Sequence, residues 1–177
     1  MRKKALVCGW ILLVSFIAFA QQDKSKRPSP PGTATCHFAD GKQVNIDYSR
    51  PSMKGRQIYG GLVPWDKVWR TGANEATTFV TDTNLSVGGT PVPAGAYTLF
   101  TVPSQSQWKL VISKKTGEWG IPYPENEDLA RVNMKSEPLP SPVEEFTINF
   151  KQNGPSACTL NLDWERTRAS VEVTEQK

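Results

Sequence analysis

One stretch of the chain concentrates side chains that could do chemistry. Residues 54–78 read KGRQIYGGLVPWDKVWRTGANEATT, with two Trp, several polar groups and little strand-like alternation. Arg70 can hold a carboxylate or phosphate through its planar fork of donors. Asn74 offers both a donor and an acceptor, and Glu75 an acceptor or a general base. Gly72 allows a turn that could bring Arg70 and Glu75 together. Trp65 and Trp69 present flat faces on which a sugar or aromatic ring could stack. Arg56 and Thr77 lie at the two ends of this loop, residues 56–77, and complete the set of candidate ligand contacts. The same residues also read as scaffold, with Arg70 paired to Glu75 and the Trp rings packed beneath. A catalytic reading would use Glu75 as base and Arg70 as anion holder, in a hydrolase acting on an extracytoplasmic polar substrate.

Other constellations are thinner. His37 is the single His, so any His-dependent mechanism must use it, and it reads as a surface residue on a strand. Asp47, Asp66 and Glu75 could supply the two carboxylates of a glycosidase, but nothing in their spacing selects a pair. WGIPYP, residues 119–124, could line a carbohydrate groove beside Trp65 or cap one end of the fold. Gly60-Gly61 lacks the Lys-Ser/Thr of a phosphate-binding loop and reads as a turn. No metal site and no cofactor motif is expected.

The elements that must position these groups are strands. Cys36 and Phe38 share a face; Val44, Ile46 and Tyr48 alternate with Asn45 and Asp47; Trp108, Leu110 and Ile112 repeat the pattern. So do Phe146, Ile148 and Phe150, then Cys158, Leu160, Leu162 and Trp164, then Ala169, Val171 and Val173. A period of two marks strands with one buried and one wet face. Residues 96–102, AYTLFTV, are apolar on both faces and read as a central strand; residues 77–81 and 85–87 are shorter candidates. Gly88-Gly89, Pro93-Ala94-Gly95 and Asn153-Gly154-Pro155 supply the turns. Residues 125–132 could hold one helical turn. The expectation is an all-β chain, a single antiparallel β-sandwich of jelly-roll or partly closed barrel type.

The ends of the chain speak to compartment. Arg2, Lys3 and Lys4, a short apolar run over residues 5–19, and Ala18-Phe19-Ala20 together have the form of a secretory signal peptide, residues 1–20. The apolar run is too short for a membrane span, so none is expected in the mature protein. Residues 21–33, QQDKSKRPSPPGT, read as a disordered leader, and residues 34–174 as the domain. Without Arg2, Lys3 and Lys4, the 21 basic residues fall to 18 against 17 acidic, a formal charge of +1. That balance gives no footprint for nucleic acid. Cys36 and Cys158 remain after cleavage, an even number in an exported chain, and are expected to be bonded.

The stretch IDYSRPSMKGRQIYGGLVPWDKVWRTGANEATTF, followed by LSVGGTPVPAGAYTLFTVP and WKLVISKKTGEWG, resembles the bacterial exported family DUF2911, a domain of unknown function. VWRTGANEAT is the most specific element. The resemblance implies an all-β domain in an exported protein and brings no activity and no catalytic residues. The reading is thus a periplasmic or secreted binding or structural module, more a binder than an enzyme. Its loop 56–77 would contact a small polar ligand, a glycan or an envelope protein.

Overall fold

A computed structural model describes residues 23–177; the segment read as a signal peptide lies outside the described residues. The alternating stretches form nine antiparallel strands. They are β1 Pro31–His37, β2 Gln43–Ser49, β3 Thr77–Thr81, β4 Leu85–Val87, β5 Thr90–Val92, β6 Gly95–Val102, β7 Trp108–Ser113, β8 Asp128–Gly154 and β9 Ala157–Glu175. Their order is β1-β2-β3-β6-β7-β8-β9-β4-β5, with β1 and β5 as free edges, so the sheet does not close. It folds over on itself instead. β8 pairs with β7 up to Met134 and with β9 from Lys135 onward, passing from one layer to the other.

The two layers meet through the inward residues of each strand. The Tyr48 hydroxyl accepts the Ile148 N–H at 2.9 Å, and its ring meets Phe146 edge-on at 5.7 Å. Cys36 on β1 is bonded to Cys158 on β9. Burying two apolar faces against each other is what makes this arrangement stable. Leu99 of β6 faces that core, while its neighbour Phe100 packs with Ala76 and Val111 on the opposite face under Val68 and Tyr123. This second cluster explains why residues 96–102 are apolar on both sides.

The inward phase of β9 changes along its length. Cys158, Leu160, Leu162 and Trp164 are buried, and then Ala169, Val171 and Val173. The even-to-odd slip falls at Glu165, whose φ of 55° is left-handed, where the register with β8 also shifts. A bulge of this kind re-aims every later side chain.

Two boundaries differ from the sequence expectation. The expected leader, residues 21–33, is in part laid on the domain: the Pro30 carbonyl accepts the Arg50 N–H, and Pro31, Gly32 and Thr33 already pair with Ser49, Tyr48 and Asp47. Apolar alternation could not reveal this, because the added pairing is through the backbone. Over residues 125–132, a 3₁₀ turn covers only Glu125–Glu127, and the rest is strand. There Ala130, Val132 and Met134 are buried against β7 while Leu129, Arg131 and Asn133 face out.

Candidate functional site

The stretch between β2 and β3 is fastened at both ends by backbone bonds. Near its start, Met53 N–H donates to the Glu144 carbonyl at 2.8 Å, and Phe146 N–H to the Pro51 carbonyl at 2.9 Å. Near its end, Trp69 exchanges two backbone bonds with Thr101 at 2.8 and 2.9 Å. Within it, Gly60 leaves room for Trp65, whose ring stacks on Tyr59 at 5.8 Å. Trp65 is therefore part of the core wall. Trp69 is half-buried; its ring stacks on Trp164 at 5.7 Å and its indole N–H donates to the Gly72 carbonyl at 3.1 Å.

After Trp69 the chain turns tightly, with Thr71 and Asn74 at left-handed φ of 54° and 57°. Thr77 is fully buried and its hydroxyl donates to the Thr71 carbonyl at 2.7 Å, locking the turn from inside. Arg70 and Glu75 leave this turn into different cavities, so neither the expected ion pair nor the catalytic pair forms.

Glu75 holds the N-terminal segment. Arg27 donates to both of its carboxylate oxygens at 2.9 and 2.7 Å, and Lys24 lies 3.3 Å away. Beside it, the Asn74 side-chain amide donates to the Ser29 carbonyl at 3.0 Å. The Arg27 hydrogen bonds, then the residue's own backbone N–H, with smaller help from Lys24, lower the Glu75 pKa from 4.5 to about 2. A carboxyl held ionised so firmly is a poor proton shuttle near neutrality. The cavity of about 360 Å³ beneath this segment contains Lys24, Arg27, Asp47 and Glu75, whose charges oppose one another.

A pH test follows from the sign of that shift. A depressed carboxyl pKa stabilises the fold above its unfolded value and loses that stabilisation as pH falls. The melting-temperature advantage of wild type over Glu75→Gln should hold from neutrality to about pH 5 and vanish between pH 4.5 and 2. Because the Glu75 side chain is 41% exposed, solvent screening limits the advantage to about 1 kcal/mol or less. An advantage that persists at pH 2, or disappears above pH 6, would refute the clamp.

Arg70 sits differently. It is half-buried, donates to the Trp119 carbonyl at 3.3 Å and lies over the Trp119 ring at 5.3 Å. Burial alone lowers its pKa, and it has no carboxylate partner among the described residues. It lines a cleft of about 340 Å³ together with Arg56, Leu62, Trp69, Ile121 and Trp164. Arg56 is exposed there and folds back on the Ser52 and Met53 carbonyls at 2.7 and 2.9 Å. Leu62 and Ile121, 46% and 69% exposed, border the same cleft and give it an exposed apolar rim.

Of the residues singled out in the sequence, the structure thus gathers Arg56, Trp69 and Arg70 around one cleft. It puts Asn74 and Glu75 at the N-terminal clamp, Thr77 in the interior, and a half-buried Trp65 against the core at Tyr59. The 119–124 loop does border the cleft, beside Trp69 rather than Trp65, with Ile121 in its lining and Tyr123 turned onto Phe100. Leu62, Ile121 and Trp164 were not singled out as contacts. Trp164 sits in regular strand alternation and carries no signal separating it from any core residue. His37 is exposed on β1 opposite Gln43. Among the described residues, no three His, Cys, Asp or Glu side chains come together as metal ligands, and no helix is long and apolar enough to cross a membrane.

Comparison with known proteins gave one kind of match. No curated protein and no solved structure matched the chain. The model of the family DUF2911, described as a protein of unknown function, matches residues 29–173, which take in β1–β8, β9 as far as Val173, the cleft lining and the Glu75 side of the N-terminal clamp but not Lys24 or Arg27, and the chain belongs to that family.

Proposed function

We propose that the protein is an exported ligand-binding module whose site is the cleft between residues 56–73 and the 119–121 loop. The observation that carries this reading is Arg70. A half-buried guanidinium without a carboxylate counter-ion among the described residues, beside exposed Leu62 and Ile121, is an uncommon use of surface. Clefts with a mainly apolar lining and a few placed polar groups are the usual form of small-molecule sites. Export is supported by the Cys36–Cys158 bond, which suits an oxidising compartment, and by the basic, apolar, small-residue order of residues 1–20. The hydrolase alternative loses its support in the separation of Glu75 from Arg70 and in the low Glu75 pKa.

Arg70→Ala tests the assignment. Its present contacts are one long hydrogen bond and a ring contact with an exposed Trp, together worth about 1 kcal/mol or less. The unliganded melting temperature should therefore fall by no more than about 4 °C. The thermal shift produced by a ligand drawn from a panel of carboxylates, phosphates and glycans should disappear. A large drop without ligand would make Arg70 a structural lock and refute the site.

A further inference from the structure

Resting on the reading of this cleft as a binding site, we propose that its ligand is an amphipathic oxyanion, a carboxylate or phosphate head carried on an apolar body, rather than a glycan. The polar inventory of the lining decides between them. Among the described residues, the polar side chains of its lining are Ser29, Arg56 and Arg70, with no Asp, Glu, Asn or Gln. Apart from the Ser29 hydroxyl, its side chains offer donors only.

A sugar presents hydroxyls that donate as well as accept, and sites for sugars must supply both. A carboxylate or phosphate monoester head mainly accepts, matching guanidinium groups in sign and geometry. The two indoles of the cleft strengthen the argument. Trp69 N–H is spent on the Gly72 carbonyl and Trp164 N–H on the Glu144 carbonyl, each at 3.1 Å. The Trp69 ring therefore adds apolar surface without a free donor, with Trp164 buried behind it. Leu62, Val63, Val68 and Ile121 continue that surface. Arg70 itself is not neutralised. Among the described residues its guanidinium meets only the Trp119 carbonyl and ring, leaving most of its donors for an incoming anion. The volume of about 340 Å³ is at the small end for ligand pockets, suited to an aromatic ring or a medium-length acyl chain.

The test uses the full chain with its disulfide oxidised, titrated by calorimetry with octanoate, octyl phosphate, octanamide, acetate and maltotriose. Octanoate or octyl phosphate should bind saturably, and the tighter of the two identifies the head. Octanamide lacks the charge and acetate lacks the body, and each should bind about tenfold or more weakly. Arg70→Met should weaken the anionic amphiphile about 10- to 100-fold and leave octanamide unchanged. Ile121→Asp, at a side chain exposed enough to tolerate the change, should also weaken it. If octanamide equals octanoate and Arg70→Met has no effect, the oxyanion is refuted while the cleft stands. Arg70-dependent binding of maltotriose alone would likewise refute the ligand class and keep the site. If nothing binds, or Ile121→Asp changes no titration, both readings fall.

Discussion

Reducing the Cys36–Cys158 bond should lower the melting temperature by about 4–16 °C. The two cysteines are 122 residues apart, so the bond closes most of the domain into one loop. In the chain-entropy picture a loop of that length restricts the unfolded chain by about 4–5 kcal/mol, and measured values often run nearer 2–4. For a chain of this size each kcal/mol is about 2–4 °C. Both cysteines are almost fully buried, so the reduced thiols stay packed and the loss acts mainly through the unfolded state. The bond has a local role as well. β1 is an edge strand paired only with β2, and the disulfide ties it across the core to β9. Reduction should therefore raise amide exchange in β1 before it does so in β6 or β7. Calorimetry of the oxidised protein, the reduced protein and the Cys36→Ala/Cys158→Ala variant would measure the effect. A shift below about 2 °C, or free thiols in the unfolded, unreduced protein, would overturn it.

The all-β architecture was legible because one face of each strand is buried and alternation records that face directly. Residues 77–81 and 85–87 were placed to the residue, and the two-sided apolarity of residues 96–102 matched a strand covered on both faces. The apolar phase slip between Trp164 and Ala169 was also in the sequence, although a slip alone does not say bulge rather than turn. Elements held by other means were harder to see. β5, Thr90–Val92, has one fully buried side chain and is defined by its pairing with β4. Residues 31–33 join β1 through the backbone, and Gly32 has no side chain to alternate.

The candidate site was legible in composition and not in pairing. Arg70 and Glu75 are five positions apart around a glycine, which suggests a closed pair. The partner of Glu75 is Arg27, 48 positions away in a Pro-rich segment that no local rule would join to it. The left-handed residues at 71 and 74 decide the outcome, because they send the two side chains to different sides of the turn. The tryptophans show the same limit. A sequence supplies flat rings but not which of them are left uncovered: Trp65 is packed against Tyr59, whereas Trp119, read only as part of a loop, is 53% exposed.

That contrast sets up a second large effect, at the back wall of the cleft. Trp164→Ala should destabilise the fold by about 3–5 kcal/mol, or about 10–15 °C. Its side chain is 1% exposed, stacks on Trp69 at 5.7 Å and touches Phe146 at the same ring distance. Truncation removes that buried surface and leaves a cavity whose walls are ring faces anchored from β8 and from the stretch between β2 and β3, which cannot collapse freely. The indole N–H adds a smaller part. It donates to the Glu144 carbonyl, which also accepts Met53 N–H, so the carbonyl keeps one partner when the indole is lost. Trp164→Phe should therefore cost less than half as much as the alanine change, since most of the ring packing remains. Trp119→Ala, at an exposed ring, should stay within about 0.5 kcal/mol of wild type. Chemical denaturation of the three variants checks the order. Equal losses at 164 and 119 would contradict the burial that separates them. A Trp164→Phe loss as large as that of Trp164→Ala would make the hydrogen bond, and not the packing, the dominant contribution.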